Sequence, residues 1–290
     1  MTQGLVLKCV GGLYRVLTDE GNTVACYARG LFRKDGFSPM AGDRVLLSDE
    51  DGTTVLHDVL PRRNIMLRPS VANIDRILLT VSVREPDFNA GLLDKMLAIA
   101  RIKDIDCAIV ITKSDLSDAR RYYELYSSIG YPCLALCGKN ADEAKHISQL
   151  MVRGVNLLCG NSGVGKTTLL NSFAGMRQQT AQISQKLGRG RHTTREAELY
   201  RVSQGVFLCD TPGFSSVSIE NMAPETTPDT LARGFAEFEK YSGGCRFADC
   251  RHINEPDCEV RAALQRGEIA PSRYASYLQL MQEVGSIKRY

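Results

Sequence analysis

Gly160-Asn161-Ser162-Gly163-Val164-Gly165-Lys166-Thr167 fits the pattern G-x-x-x-x-G-K-[ST] at every fixed position. Val155, Leu157 and Leu158 run into it, and Thr168, Leu169, Leu170 and Phe173 run out. That is a strand–loop–helix setting, which a chance Gly-rich turn lacks. The glycines let the backbone wrap round a phosphate chain with successive N–H groups pointing inward. The start of the following helix adds partial positive charge. In such a loop Lys166 reaches the β- and γ-phosphates and the Thr167 hydroxyl holds Mg²⁺. The stretch implies a bound nucleoside triphosphate, without naming the base.

Upstream, strand and helix patterns alternate. Ile74 to Val83 reads as a strand, Leu92 to Ile102 as a helix and Asp106 to Thr112 as a buried strand. Tyr122 to Ile129 reads as a helix, Cys133 to Cys137 as a short strand, and 141–150 as a helix before the strand into the loop. This alternation implies a mostly parallel sheet with helices on both faces and ligands at the strands' C-terminal ends.

The strand at 106–112 ends in Thr112-Lys113-Ser114-Asp115, matching the [NT]-K-x-D of GTP-binding proteins. An ionised carboxylate only accepts hydrogen bonds. Guanine offers N1–H and its 2-amino group side by side, whereas adenine would leave the carboxylate partly unsatisfied. Lys113 lays its stem along the base plane. Leu136-Cys137-Gly138, at the next strand end, falls where a second base-contacting loop belongs.

Downstream, Val206 to Cys209 is a strand ending in Asp210-Thr211-Pro212-Gly213. A D-x-x-G there supplies a carboxylate for a Mg²⁺-bound water and a Gly N–H for the γ-phosphate. Between the two motifs lies Gly188-Arg189-Gly190-Arg191-His192-Thr193-Thr194, where either Thr193 or Thr194 completes the Mg²⁺ shell. Phe214 stands where Ras-like enzymes carry a water-orienting glutamine. A phenyl ring cannot orient water, so His192 is the local catalytic candidate beside Lys166, Asp210 and Gly213. A phosphate-contacting or simply exposed His192 is the competing reading. Residues 176–195 hold Arg177, Lys186, Arg189, Arg191 and Arg195 and no carboxylate, which suits RNA phosphates or a solvated loop.

The order is unusual, because Asp115 precedes Gly160. A doubly wound sheet tolerates this if the ancestral termini are joined and a new break opens in a surface loop. Whatever follows Gly213 is then tethered directly to the γ-phosphate sensor.

Residues 1 to 68 hold five short strand candidates, at Leu5–Leu7, Tyr14–Leu17, Val24–Tyr27, Arg44–Leu47 and Val55–Val59. Turn residues separate them, which suggests a small barrel of SH3 or OB type. Arg29, Arg33 and Lys34 gather in one loop near Phe32 and Phe37, a pattern that fits either RNA contact or a solvated loop. Pro61 to Pro69 reads as a connector. At the other end, a helix is expected from Thr230 to Tyr241, and one or two helices over Leu264 to Met281, broken near Ala270-Pro271.

Cys245-x4-Cys250-x-His252-x5-Cys258 places three thiols and an imidazole within 14 residues, a complete tetrahedral set for structural zinc. Cys9, Cys26, Cys107, Cys159 and Cys209 sit singly in apolar runs and read as small core residues. Composition is 43% hydrophobic and 24% charged with a net charge of +3, which by itself argues weakly for a polyanionic partner. No apolar run approaches the ~20 residues of a membrane span, and no export signal precedes the first strand. A cytoplasmic location is expected.

Together these motifs resemble the circularly permuted GTPases that depend on the small ribosomal subunit (the RsgA/YjeQ type). The resemblance rests on the barrel, T-K-S-D before G-N-S-G-V-G-K-T, G-R-H-T-T, D-T-P-G-F and the C-x4-C-x-H-x5-C spacing. It covers essentially the whole chain. It implies an OB-fold that contacts rRNA, GTP hydrolysis to GDP stimulated by the 30S subunit, and a late role in that subunit's maturation. The histidine proposed as catalytic in the family falls on His192. Two positions depart from the commoner pattern: Thr167 replaces Ser and keeps the hydroxyl, and Thr112 replaces Asn, which is expected to loosen its tie to the phosphate loop.

The expected architecture is multidomain α/β: a five-stranded OB-type barrel over 1–68, a circularly permuted P-loop GTPase domain over 69–220, and a helical zinc domain over 221–290. The expected state is a monomer with Mg²⁺, one structural Zn²⁺ and no membrane. Two rivals stand beside it: a GTP-dependent RNA recruiter or chaperone in which hydrolysis only times release, and a different P-loop enzyme such as a kinase.

Overall fold

The computed structural model describes residues 1–28, 32, 38–67, 69–137, 146–172, 197–210 and 218–287. By its contacts the chain divides into two compact units. One comprises residues 1–76, 151–159 and 167–213, and the other 77–150, 160–166 and 214–290.

All five expected N-terminal strands are present in the first unit: β1 Thr2–Val10, β2 Leu13–Thr18, β3 Thr23–Ala28, β4 Arg44–Glu50 and β5 Thr53–Val59. β1, β2 and β3 form an antiparallel meander, β3 pairs parallel with β5, β5 pairs with β4, and β4 returns to β1 with Leu5 opposite Arg44. The order β1-β2-β3-β5-β4-β1 closes a barrel of the OB type and leaves no open edge. Alternation drives it: Tyr14, Val16 and Thr18 of β2 point inward. With Val6, Val45, Leu47 and Leu56 they fill the interior, and Phe32 packs against that core. Arg29, Arg33, Lys34 and Phe37 lie outside the described residues.

The expected plain connector is a correction. Ile65–Leu67 and Ser70–Ala72 pair as a hairpin, β6 and β7. Met66, Val71 and Ala72 are fully buried, so this stretch has its own apolar side to hide. Asn64 brackets Ile74 through both its amide and its carbonyl oxygen. Gly42 passes under the hairpin at φ +88°, and a Cβ there would sit 2.0 Å from the Ala72 carbonyl oxygen. Arg62 grips the fully buried Asp43 with two 2.7 Å bonds, fastening the chain leaving β5 to the barrel.

The same unit holds β11 Gly154–Gly160, which pairs parallel with β13 Val206–Asp210, and β12 Glu198–Ser203, antiparallel to β13. β12 also meets β1, with Glu198 opposite Lys8. Glu198 is ion-paired to both Lys8 and Arg15.

In the second unit, β8 Ile74–Ser82 continues from the first and stands beside β9 Asp106–Thr112, which pairs parallel with β10 Cys133–Ala135. Helix α1 spans Ala90–Ile102, and its Asn89 cap accepts the Leu92 N–H at 3.0 Å. Helix α2 spans Arg120–Ser128. Of the helix expected over 141–150, residues 146–148 are helical and 141–145 lie outside the described residues. Helix α3 is Lys166–Ser172, α4 Ile219–Met222, α5 Glu239–Ser242, α6 Glu259–Gln265 and α7 Pro271–Ser286. Pro271 opens α7, as its fixed φ and missing N–H suit a first turn.

The helix expected from Thr230 to Tyr241 is also corrected. Two 3₁₀ turns, Leu231–Gly234 and Ala236–Phe238, precede α5, with Phe235 extended between them. Gly234 is the cause: a Cβ there would come 2.8 Å from the Ala98 Cβ of α1, so the backbone is drawn against α1.

Arg273 of α7 is fully buried. Its Nη1 donates to Asp94 of α1 at 2.6 Å and its Nε to Glu237 at 2.7 Å. The Tyr126 hydroxyl of α2 donates to the same Asp94 oxygen at 2.8 Å. Burial alone would lower the Arg273 pKa; the Glu237 hydrogen bond and the two carboxylate charges outweigh it and hold the guanidinium charged. Removing one partner of such a cluster leaves a buried charge uncompensated. Asp94→Ala is expected to destabilise the protein by ~3–5 kcal/mol, read as a lowered urea midpoint. The double change with Arg273→Met should recover part of that loss. A single variant as stable as the parent would remove the cluster from the fold's support.

Candidate functional site

The Gly160–Thr167 loop joins β11 to α3, as the sequence implies. Gly160 is required by a close approach: a Cβ there would stand 2.2 Å from the Thr80 carbonyl oxygen of β8. Gly165 adopts φ +96°, open to glycine at little cost. Val164 is buried and anchors the loop, whereas Ser162 and Gly163 face solvent. Lys166 is only 9% exposed, and its Nζ donates to the carbonyls of Gly160 and Asn161 at 2.6 Å each. The ammonium is thereby folded back over the loop's own centre. Thr167 and Thr168 follow it, exposed, on the first turn of α3.

The strand end carrying T-K-S-D lies against this loop. Thr112 is 2% exposed, and its hydroxyl sits 2.6 Å from the Val164 carbonyl and 3.1 Å from that of Val81. The expected loosening at Thr112 is therefore corrected. One hydroxyl reaches the loop backbone as an amide would, because the strand end and the loop approach closely enough for the shorter side chain. Lys113 takes φ +57° and donates to the Glu85 carbonyl. Such left-handed backbone at a non-glycine residue is costly and is held by the surrounding structure. The Leu116 N–H closes the turn onto the Lys113 carbonyl, leaving the Asp115 side chain exposed beside it.

Ser114 binds the second strand end. Its N–H donates to the Leu136 carbonyl at 3.1 Å and its hydroxyl lies 3.5 Å from the Cys137 thiol. Leu136 and Cys137 thus stand next to T-K-S-D, and Gly138 lies outside the described residues. So do His192, Thr193, Thr194, Gly213 and Phe214, the basic side chains from Arg177 to Arg195, and the side chain of Asp210. Sequence reasoning missed the carbonyls of Thr80, Val81 and Glu85, which brace the loop and Lys113. No side-chain signal could have marked them, since they are backbone atoms.

The second cluster is the C-terminal one. One ligand atom from each of Cys245, Cys250, His252 and Cys258 lies within 4.8 Å of every other. The Cys245 and Cys258 sulfurs are 3.9 Å apart, and His252 Nδ1 is 3.6 Å and 3.5 Å from them. A tetrahedron of ~2.3 Å zinc–sulfur bonds has edges of about 3.8 Å. Burial pushes the Cys250 thiol up to about 12, raises Cys258 and lowers His252. Thiols packed this way stay neutral unless a cation holds them as thiolates. The donor set fits a four-coordinate thiophilic divalent ion with no open position.

Aromatic residues brace this cluster. Tyr274 and Tyr277 of α7 donate to the His252 and Arg251 carbonyls, and Phe238 meets the His252 ring edge-on at 5.9 Å. The Tyr-x-x-Tyr spacing on α7, one helical turn apart, was the sequence signal for these supports.

Known proteins match this chain closely. The family profile described as "RsgA GTPase" covers residues 59–220, and that of the "RsgA N-terminal domain" covers 3–55. The Small ribosomal subunit biogenesis GTPase RsgA of Clostridium perfringens (strain 13 / Type A) is 36% identical, over 97% of this chain and 98% of its own. Small ribosomal subunit biogenesis GTPase RsgA 2 of Listeria innocua is 42% identical over 99% of both. Among solved structures, YjeQ from Thermotoga maritima aligns with a TM-score of 0.82 and 31% identity over 99% of each chain. YloQ, described as a circularly permuted GTPase, aligns at 0.82 and 30% over 100% of this chain and 98% of its own. The permuted motif order, the barrel and these matches over nearly the full length agree, and the chain belongs to the RsgA family of GTP-hydrolysing enzymes.

Proposed function

We propose that this GTPase acts in biogenesis of the small ribosomal subunit, as its relatives' names state for them. It binds the 30S subunit and its rRNA, assists late maturation, and hydrolyses GTP to GDP and phosphate faster when so bound. The observation that carries the guanine reading is the Thr112–Val164 bond. It fixes a base-reading strand end to the phosphate loop within one unit. Thr112, Lys113, Ser114 and Asp115 bind the base, while Gly160 to Thr168 wrap the phosphates. Lys166 exchanges its loop carbonyls for β/γ-phosphate oxygens.

Mg²⁺, when bound with GTP, neutralises the charge building on the phosphates. Thr167 is exposed and free to offer it a hydroxyl; Asp210 and one of Thr193 or Thr194 complete the proposed set. The Cys245, Cys250, His252 and Cys258 set holds one structural Zn²⁺. The working organisation is a barrel over 1–68, a GTPase domain over 69–220 and a zinc domain over 221–290, in a cytoplasmic monomer. No helix among the described residues is long and apolar enough to cross a membrane.

Co-sedimentation with 30S subunits in a GTP analogue and in GDP tests the proposal, together with single-turnover hydrolysis with and without subunits. Nucleotide-dependent pelleting and stimulated turnover are expected. Equal pelleting in both states with no stimulation would overturn it. His192→Ala should keep GTP affinity and lose about 10²-fold of the stimulated rate, the lower range for general acid–base groups. An unchanged stimulated kcat would take His192 out of the mechanism.

A further inference from the structure

Away from the phosphate loop, the first unit carries an open groove with a cavity volume of about 880 Å³. The barrel forms one wall, the chain after β5 a second, and the loops beginning β11 and joining β12 to β13 a third. Four arginines converge on it from four parts of the sequence: Arg44, Arg63, Arg153 and Arg201.

Two of them are matched. Arg44 meets Asp19 at 2.7 Å and Arg63 meets Asp75 at 2.7 Å. Arg153 and Arg201 are exposed and have no carboxylate partner among the described residues. The third acidic group in the groove, Glu20, is exposed on the barrel turn. Arg153 is placed by backbone instead of by an anion. Its Nε lies over Gly205, where a Cβ would come within 3.2 Å, and the Gly205 carbonyl accepts the Gly154 N–H at 2.7 Å. The groove thus has a fixed floor and two uncommitted guanidinium groups above it.

We propose that this groove takes a single-stranded RNA segment, with Arg153 and Arg201 on its phosphates. The inference rests on the RNA-bound reading above and adds a binding surface to it. Guanidinium groups match phosphate oxygens bidentately. The carboxylates and amides between them suit base edges, where Asp and Glu accept from amino groups.

The test is Arg153→Ala with Arg201→Ala in the full chain, titrated over a range of KCl. A fluorescent single-stranded RNA oligonucleotide and 30S subunits serve as separate probes. Affinity for both should fall about tenfold or more, and for the oligonucleotide the slope of log K against log salt should shrink by about 1.4, ~0.7 per arginine on a single strand. Affinity for a GTP analogue and the melting temperature should not move. Unchanged oligonucleotide affinity and slope would overturn the groove, whatever the subunit result. Wild-type protein that binds the oligonucleotide through these arginines yet never pellets with 30S would sink the ribosomal reading and leave the groove standing. Loss of polyglutamate binding with RNA binding intact would assign the groove to an acidic protein and overturn the proposal.

Discussion

Lys166→Ala is expected to lower kcat/KM for GTP by about 10³- to 10⁵-fold, the range for a cation aimed at the transferring phosphoryl group. The structure gives the reason. Nothing in the described loop competes with Lys166 as a cation: Gly160 to Gly165 offer backbone N–H groups, and Thr167 offers a hydroxyl. The ammonium is pre-positioned, with two 2.6 Å bonds to the carbonyls of Gly160 and Asn161 folding it over the loop. Triphosphate oxygens replace those carbonyls as acceptors, so little reorganisation is asked of the side chain. The gain is concentrated where charge develops, which favours kcat beyond binding. Lys166→Arg should not rescue, because a planar fork cannot occupy a point-charge position in a loop closed by Gly160 against Thr80. Single-turnover rates with saturating GTP give the chemical step directly. A rate within tenfold of the parent would mean that the loop amides and Mg²⁺ suffice without the lysine.

The nucleotide motifs were legible because their chemistry is short-range: a few residues at fixed spacing, each at a strand end. The barrel was legible because period-2 alternation in β2 and the turns between strands name its elements. The strand pattern alone left its type open between SH3 and OB; the family resemblance chose OB, and β3 pairing with β5 and β4 returning to β1 bear that out. Thr112 shows the limit of motif comparison. Asn and Thr differ in length, and whether the shorter side chain reaches Val164 is decided by how closely β9 and the loop approach. The β6–β7 hairpin was hidden by Pro61 before it and Pro69 in its turn, and its three-residue strands are too short to show a period. The missed kink at Gly234 follows from contact with Ala98, more than 130 positions earlier, which no local window contains.

The tether inferred from the permuted order has a physical counterpart beyond Gly213. Ser218 caps α4, and the Ile219 N–H donates to Glu283 of α7 at 3.1 Å. Glu283 also pairs with Lys95 of α1 at 2.6 Å. The chain from Ser218 onward is thus held by α7 and α1, the two helices joined again through Arg273 and Asp94. α7 in turn holds the Cys/His loop through Tyr274 and Tyr277. α7 therefore links the start of α4 to the Cys/His loop.

That arrangement makes metal loss the second large effect. The wild-type chain is expected to hold about one zinc, and Cys258→Ser to hold almost none. Structural zinc contributes about 10–16 kcal/mol of apparent binding energy in small zinc folds. The segment from Cys245 to Cys258 has little else to replace it: it contains no helix or strand, and its ion pairs Arg246–Asp257 and Arg251–Asp229 are exposed. Without the ion, three thiols sit together with burial holding two of them protonated, and nothing bonds the four side chains strongly. Hydrogen exchange should then show the loop and the start of α6 losing protection. α7 should stay protected near Arg273, because that buried cluster uses no metal. GTP affinity should change by less than about threefold, since Lys166 and Thr112 lie on other elements, while 30S pelleting weakens. Wild-type protein purified without bound metal, or a Cys258→Ser variant with parental exchange, would show that the loop is held by its tyrosine clamps alone. The split between intact nucleotide binding and lost docking separates this role from a general fold defect. Unfolding of the whole chain would abolish both together.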